Sequence, residues 1–161
     1  MRVTVVEGNI VNQPVEVIVN AWNRNIIPWW LLLPQGVSGT IKRAAGLAPF
    51  RELARLGPLP LGHAVETSAG RLPIRAIIHV AGINMFWRST ERSIRDSVRN
   101  AVLLAADRKY RSMAIPLIGA GTGGRDAGTV LAWIEDELSR CQYDGEIRIV
   151  QFRKSLTDST A

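Results

Sequence analysis

The chain of 161 residues, 47% apolar and 21% charged, has the size and balance of one globular domain, and it is long enough to fold without disulfides or a structural metal. Twenty Lys and Arg against 14 Asp and Glu leave a formal charge of +6, which favours anionic partners but serves solubility equally well. The single cysteine, Cys141, excludes an internal disulfide and reads as a packing residue on a helix face. The longest apolar run, Ile26 to Pro34, is nine residues with two prolines, far short of the roughly 20 a membrane helix needs. The N-terminus runs directly into a strand pattern with no charged leader and apolar stretch, so a cytoplasmic protein is expected.

Val3 to Val6 and Val15 to Asn20 are β-branched runs around an Asn12-Gln13-Pro14 turn and read as the first two strands. Short helical patterns follow at Ile41 to Ala45, after Gly36, and at Phe50 to Leu56, before Gly57 and Pro58. His63 to Thr67 and Ile74 to Val80 are again strand-like. From Ser89 to Lys109, Ile94, Val98, Ala101, Val102, Ala105 and Ala106 repeat at helical spacing, with Arg92, Arg95, Arg99 and Arg108 on other faces. Ser112 to Ile118 is a strand interrupted by Pro116, Ala127 to Arg140 an amphipathic helix, and Glu146 to Phe152 a last strand. Strands alternating with helices imply a largely parallel sheet covered on both faces, with ligands bound beyond the carboxyl ends of the strands. The polar stretch 155–161 reads as a frayed tail.

Two loops concentrate glycine. Gln35, Gly36, Val37, Ser38 and Gly39 open a helix after the second strand, and Ile118, Gly119, Ala120, Gly121, Thr122, Gly123 and Gly124 follow the Ala114 to Leu117 strand. Glycines at a helix start let backbone N–H groups approach an anion, and four glycines in six residues suit a phosphate-cradling nest. Either loop alone is equally a tight packing turn. The ordered set is more specific. Gly8-Asn9-Ile10, the segment Val17 to Asn23 containing Asn20-Ala21-Trp22-Asn23, Gly36 to Gly39 leading to Ile41 through Gly46, Gly62 to Thr67, Leu72-Pro73, Ile78-His79-Val80, and Ile115-Pro116 leading to the Gly121 loop resemble the macro domain family in order and spacing over about residues 3 to 152.

That resemblance implies a three-layer α/β/α macro domain fold with a central mixed, largely parallel sheet, spanning residues 1–154 as one domain, and it implies ADP-ribose or an ADP-ribosylated substrate as partner. The loops of Gly36 to Gly39 and Gly119 to Gly124 would close over the diphosphate, with Gln35, Asn20 and Ala21 beside them. Asn23 would reach the distal ribose, Gly8, Asn9 and Ile10 would hold adenine, and Phe152 would either stack on adenine or simply pack at the strand end. The family's aspartate in the adenine turn is Asn9 here, which keeps an acceptor but loses charge assistance. The hydrolytic members' aspartate in the first loop matches Ser38, whose hydroxyl titrates far too high to be a base alone. With Asn23, it is the candidate catalytic residue. The aromatic that covers the distal ribose matches Gly123, so that wall is open or supplied from elsewhere. Trp29 or Trp30 is one source; burial of that segment against its own domain or a partner subunit is favoured, because exposing so much apolar surface is costly.

His79 reads as a satisfied strand histidine, and neither it nor His63 has the neighbours of a metal site. No cofactor or metal is expected. The family supports an ADP-ribose derivative hydrolase or binder. The competing reading is a basic module for nucleic acid or poly(ADP-ribose), in which the four arginines align with Lys42 and Arg43.

Overall fold

The computed structural model describes residues 1–28, 36–84, 86–121 and 123–152. Trp29, Trp30, Gln35, Thr122 and the 155–161 tail therefore lie outside the described residues. In chain order the elements are β1 (Arg2–Gly8), a 3-10 turn (Ile10–Asn12), β2 (Val17–Trp22), α1 (Gly36–Ala45), α2 (Ala48–Arg55), β3 (Ala64–Thr67), β4 (Ala76–Ala81), α3 (Glu91–Asp107), β5 (Ser112–Pro116), α4 (Ala127–Ser139) and β6 (Glu146–Phe152). One sheet takes the order β1-β6-β5-β2-β4-β3. Its pairs are parallel except β3 with β4.

Strict alternation along the buried strands sends apolar residues to both faces. Val17 and Val19 of β2 join Ile78 and Val80 of β4 and Ile147 and Ile149 of β6 in a cluster under α3 and α4. Ile18 and Trp22, Ile77 and Ala81, and Val150 face the other way, under Ile41 of α1 and Phe50 and Leu53 of α2. The sheet thus divides the interior into two cores rather than one. Helix starts follow local chemistry: Thr90 caps α3 in a reciprocal capping box with Ser93, and Asp126 caps α4 through Thr129 N–H.

Most boundaries shift by a residue or two from expectation, and three of the shifts have a local cause or consequence. β2 begins at Val17, because Val15 N–H is still engaged by the Gln13 carbonyl of the preceding turn at 2.9 Å. α1 begins at Gly36 rather than Ile41, its first residue adopting a φ of 57°. β5 ends at Pro116 instead of passing through it, and Ile118 N–H turns back onto the Pro116 carbonyl at 2.8 Å.

Arg92 is 92% exposed, but the other arginines along α3 are drawn into pairs with neighbouring elements. Arg95 bonds Glu91 at 2.8 Å and Asp136 at 2.5 Å, Arg99 bonds Asp96 at 3.0 Å and the buried Glu137 at 2.7 Å, and Arg108 lies 3.4 Å from Glu66. Arg95 and Arg99 clamp α3 to α4, and Arg108 ties the end of α3 to β3. Lys42 and Arg43 sit on α1, across the sheet, so the two groups do not form one basic surface.

His79 is fully buried on β4 beside its register partner Asn20 on β2. Asn20 Nδ2 lies 3.0 Å from His79 Nδ1, and His79 Nε2 lies 2.8 Å from Thr67 Oγ1. Because Thr67 donates its own hydroxyl to the Ser68 carbonyl at 3.1 Å, it accepts from the ring, which fixes the Nε2–H tautomer and leaves Nδ1 to accept from Asn20. Burial holds the imidazole neutral and pushes its pKa down to about 3. The unfolded chain binds a proton near pH 6.5 that the folded chain refuses, so this histidine's contribution to stability is complete above pH 6.5 and is lost as pH falls toward 3. Urea unfolding between pH 7.5 and 5 should therefore show stability dropping by up to about 1.4 kcal/mol per pH unit, and His79→Gln should flatten that slope.

Candidate ligand-binding site

β2 and β5 are parallel neighbours. The chain leaving β2 enters α1 on one face, whereas the chain leaving β5 enters α4 on the other. Departure to opposite faces opens a crevice at the strand ends, the place where open α/β sheets bind ligands. Both glycine loops begin there.

The segment after β2 is pinned from beneath. Asn25, at a φ of 57° that asparagine tolerates better than most residues, donates its amide to the carbonyls of Leu53 at 2.7 Å and Gly57 at 2.8 Å, and accepts from Trp22 Nε1 at 3.3 Å. Arg24 and Leu59 exchange a backbone bond of 2.8 Å and a guanidinium bond of 3.1 Å. Within this frame Asn23 is 94% buried and its Oδ1 accepts from Asn25 N–H at 2.7 Å. That bond fixes the plane of the buried amide.

At the start of α1, the first-turn N–H groups have no helical acceptors and no acidic side chain lies in that turn. A Cβ added at Gly36 would meet nothing within 4 Å. Gly39 is buried, Val37 packs on the lower core, and Ser38 is half-buried in the same turn.

The second loop is tethered to the segment following β4. Ser89 donates to the Gly123 carbonyl at 3.3 Å, and Arg125 Nε donates to the Ser89 carbonyl at 2.9 Å. Gly119 bends at a φ of 84°, and a Cβ at Gly123 would fall 2.4 Å from the Gly119 carbonyl oxygen. No side chain fits at Gly123, so the wall that an aromatic could make there is closed off by backbone contact. Gly121 is different: its φ is ordinary, it is exposed, and a Cβ would meet nothing within 4 Å. Among the described residues, neither strain nor packing calls for glycine there.

The remaining sequence-predicted residues divide by exposure. Asn20, Ile10 and Ile118 are at most 1% exposed, which places their side chains in the core beneath the site. Ala21 and Ala120 are half-buried against the α3 and α4 side. Asn9 caps the 3-10 turn by accepting from Val11 N–H at 3.1 Å, so one lone pair of its amide oxygen is already occupied. Phe152 is 43% exposed and pairs in register with Gly8, beside the Asn9 turn.

Sequence reading missed Asn84 and Trp87. With Asn23, Arg24, Ile26 and Ile27 they line a cavity of about 70 Å³. The signal was available in principle, since both follow the carboxyl end of β4. No carboxylate, imidazole or thiol belongs to this lining, and among the described residues no group of three His, Cys, Asp or Glu side chains is placed to hold a metal. No helix among them is long and apolar enough to cross a membrane.

Comparison with known proteins agrees with this architecture. The macro domain model matches residues 19–134, and the chain belongs to the macro domain family. It is 40% identical over 131 residues to an O-acetyl-ADP-ribose deacetylase of Escherichia fergusonii, covering 76% of this chain and 70% of that protein. It is 41% identical over 128 residues to the protein of the same name from Klebsiella pneumoniae, covering 74% and 69%. The Oceanobacillus iheyensis macrodomain solved with ADP superposes with a TM-score of 0.80 at 29% identity, over 94% of this chain and 84% of that one.

The two glycines separate fold from site. Gly123→Ala should destabilise the protein by about 1–3 kcal/mol, the usual cost of overpacking, while Gly121→Ala should leave the thermal midpoint unchanged. Thermal and urea unfolding of the two variants checks both expectations.

Proposed function

We propose that the protein binds ADP-ribose derivatives in the crevice between the α1 N-terminus and the Gly119 to Gly124 loop, and hydrolyses an acyl ester on the distal ribose. The observation that carries the binding is Gly121, a glycine with open space and ordinary backbone on the loop facing the crevice, as expected where a diphosphate must approach main-chain N–H groups. The helix start supplies further N–H groups that lack intrahelical acceptors, and a favourable dipole. Phe152 and the Asn9 turn, adjacent at the ends of β6 and β1, support an adenine end. The names of the relatives, O-acetyl-ADP-ribose deacetylase, and the ADP in the Oceanobacillus structure support both ligand and reaction class.

In this reading Asn23 orients the distal ribose through its Nδ2. A water oxygen adds to the acyl carbonyl carbon, the bond from that carbon to the ribose oxygen breaks, and the ribose oxygen takes a proton. The products are ADP-ribose and a carboxylic acid. Ser38 is too weak a base to deprotonate the water, and the cavity lining holds no other base, so the ligand's own phosphate oxygens position the water and the protein contributes alignment and N–H donors.

The basic-module alternative has no geometric support, since the α3 arginines are paired and lie across the sheet from Lys42 and Arg43. Calorimetric titration with ADP-ribose should give a single binding event, and an absence of heat would overturn the proposal. Gly121→Glu should weaken that binding at least 100-fold at an unchanged thermal midpoint. Asn23→Asp, which keeps the acceptor for Asn25 but removes the donor, should lower deacetylation by about 100-fold, in line with loss of one preorganised donor.

A further inference from the structure

We infer that Trp87 is a specificity-determining residue, closing a small apolar pocket beside Asn23 that accepts the acyl group of the substrate and limits its length. This rests on the proposed ester hydrolysis and names the part of the substrate that this site reads.

The pocket is about 70 Å³ and is lined by Asn23, Arg24, Ile26, Ile27, Asn84 and Trp87. Ligand pockets that enclose a whole drug-sized molecule run to roughly 300–1,000 Å³, so this one receives a fragment. Its two isoleucines and indole suit a short hydrocarbon group better than a hydroxyl-rich sugar, which would lose its hydrogen bonds there. Asn23, whose amide plane is fixed by the bond from Asn25 N–H, gives the pocket one polar edge. A ribose held by Asn23 would therefore direct an attached acyl chain toward Trp87.

Trp87 is held in place by construction. Its φ is 58°, a conformation that disfavours a bulky side chain, and the turn that imposes it is closed by four bonds to Asn84. Asn84 Oδ1 accepts from Phe86 N–H at 2.9 Å and Arg88 N–H at 3.1 Å. Trp87 N–H donates to the Asn84 carbonyl at 3.1 Å, and Asn84 N–H donates to the Arg88 carbonyl at 2.9 Å. Two residues on, Ser89 bonds the Gly123 carbonyl, so the indole and the second glycine loop belong to one hydrogen-bonded unit. Gly123 can carry no side chain, and the aromatic wall stands on the neighbouring loop instead.

The test measures kcat/KM for O-acetyl-, O-propionyl- and O-butyryl-ADP-ribose by chromatographic release of ADP-ribose. The wild type should favour acetyl over butyryl by at least 10-fold, because each methylene that a tight apolar pocket must accept or refuse is worth roughly 10–200-fold. Trp87→Ala should collapse or invert that ratio. Trp87→Phe should shift it part of the way, and Ile26→Ala, at a half-exposed wall position, should relax it without touching the Asn84 turn; these two keep the inference open to refutation if Trp87→Ala does not fold. An unchanged acyl ratio in folded variants that still bind ADP-ribose and cleave the acetyl ester would overturn the role of Trp87 and leave the proposed function standing. A wild type that binds no ADP-ribose would overturn both.

Discussion

Two adjacent parallel strands whose chains depart to opposite faces are the constraint on which this site depends. β2 leads to α1 against one core and β5 leads to α4 against the other, the topology at which open α/β sheets bind ligands. Each departing loop must turn immediately. The turns expose N–H groups that no strand or helix partner satisfies, and this happens on both sides of one crevice. Anion affinity is in this sense a product of topology before any side chain contributes.

A crevice of this kind is useful only if its walls hold still. Beneath it, the directed chain from Asn20 through His79 to Thr67 links β2, β4 and β3, and its neutral imidazole packs edge-on to Phe50 at 5.7 Å between ring centres. Above it, Asn25 and Asn84 each use one side-chain amide to close a turn and satisfy several backbone groups at once. Asparagine suits both positions because its short amide offers donor and acceptor within reach of the local main chain. The left-handed residues Asn25 and Trp87 each disfavour their own conformation, and the surrounding bonds over-determine it, as is common where geometry serves a ligand.

Much of this was legible in the sequence, for reasons that also explain the gaps. Alternation of Val17, Ile18 and Val19, and the helical spacing of Ile94, Val98 and Ala101, are local periodicities, so the elements and the largely parallel sheet could be read directly. The antiparallel β3 edge and the splitting of the core in two depend on long-range pairing that no local pattern records. Glycine content located both anion loops but did not sort their glycines: Gly123 is dictated by contact with Gly119, whereas no contact among the described residues dictates Gly121. The sequence places Arg95 and Arg99 only on the other faces of their helix, because their partners, Asp136 and Glu137, come from another helix. Trp87 escaped notice because its significance arises from where the β4 end falls beside Asn23, a neighbourhood made by the sheet order.

The site's charge distribution bears on how chemistry proceeds within it. The cavity beside Asn23 contains an arginine and two asparagines but no anionic side chain, and the first turn of α1 is free of acids. In the proposed reaction the phosphate oxygens that the loops bind also position the water near the distal ribose. Binding energy and water positioning then come from one group, and the protein's part reduces to holding that group and the ribose in fixed relation.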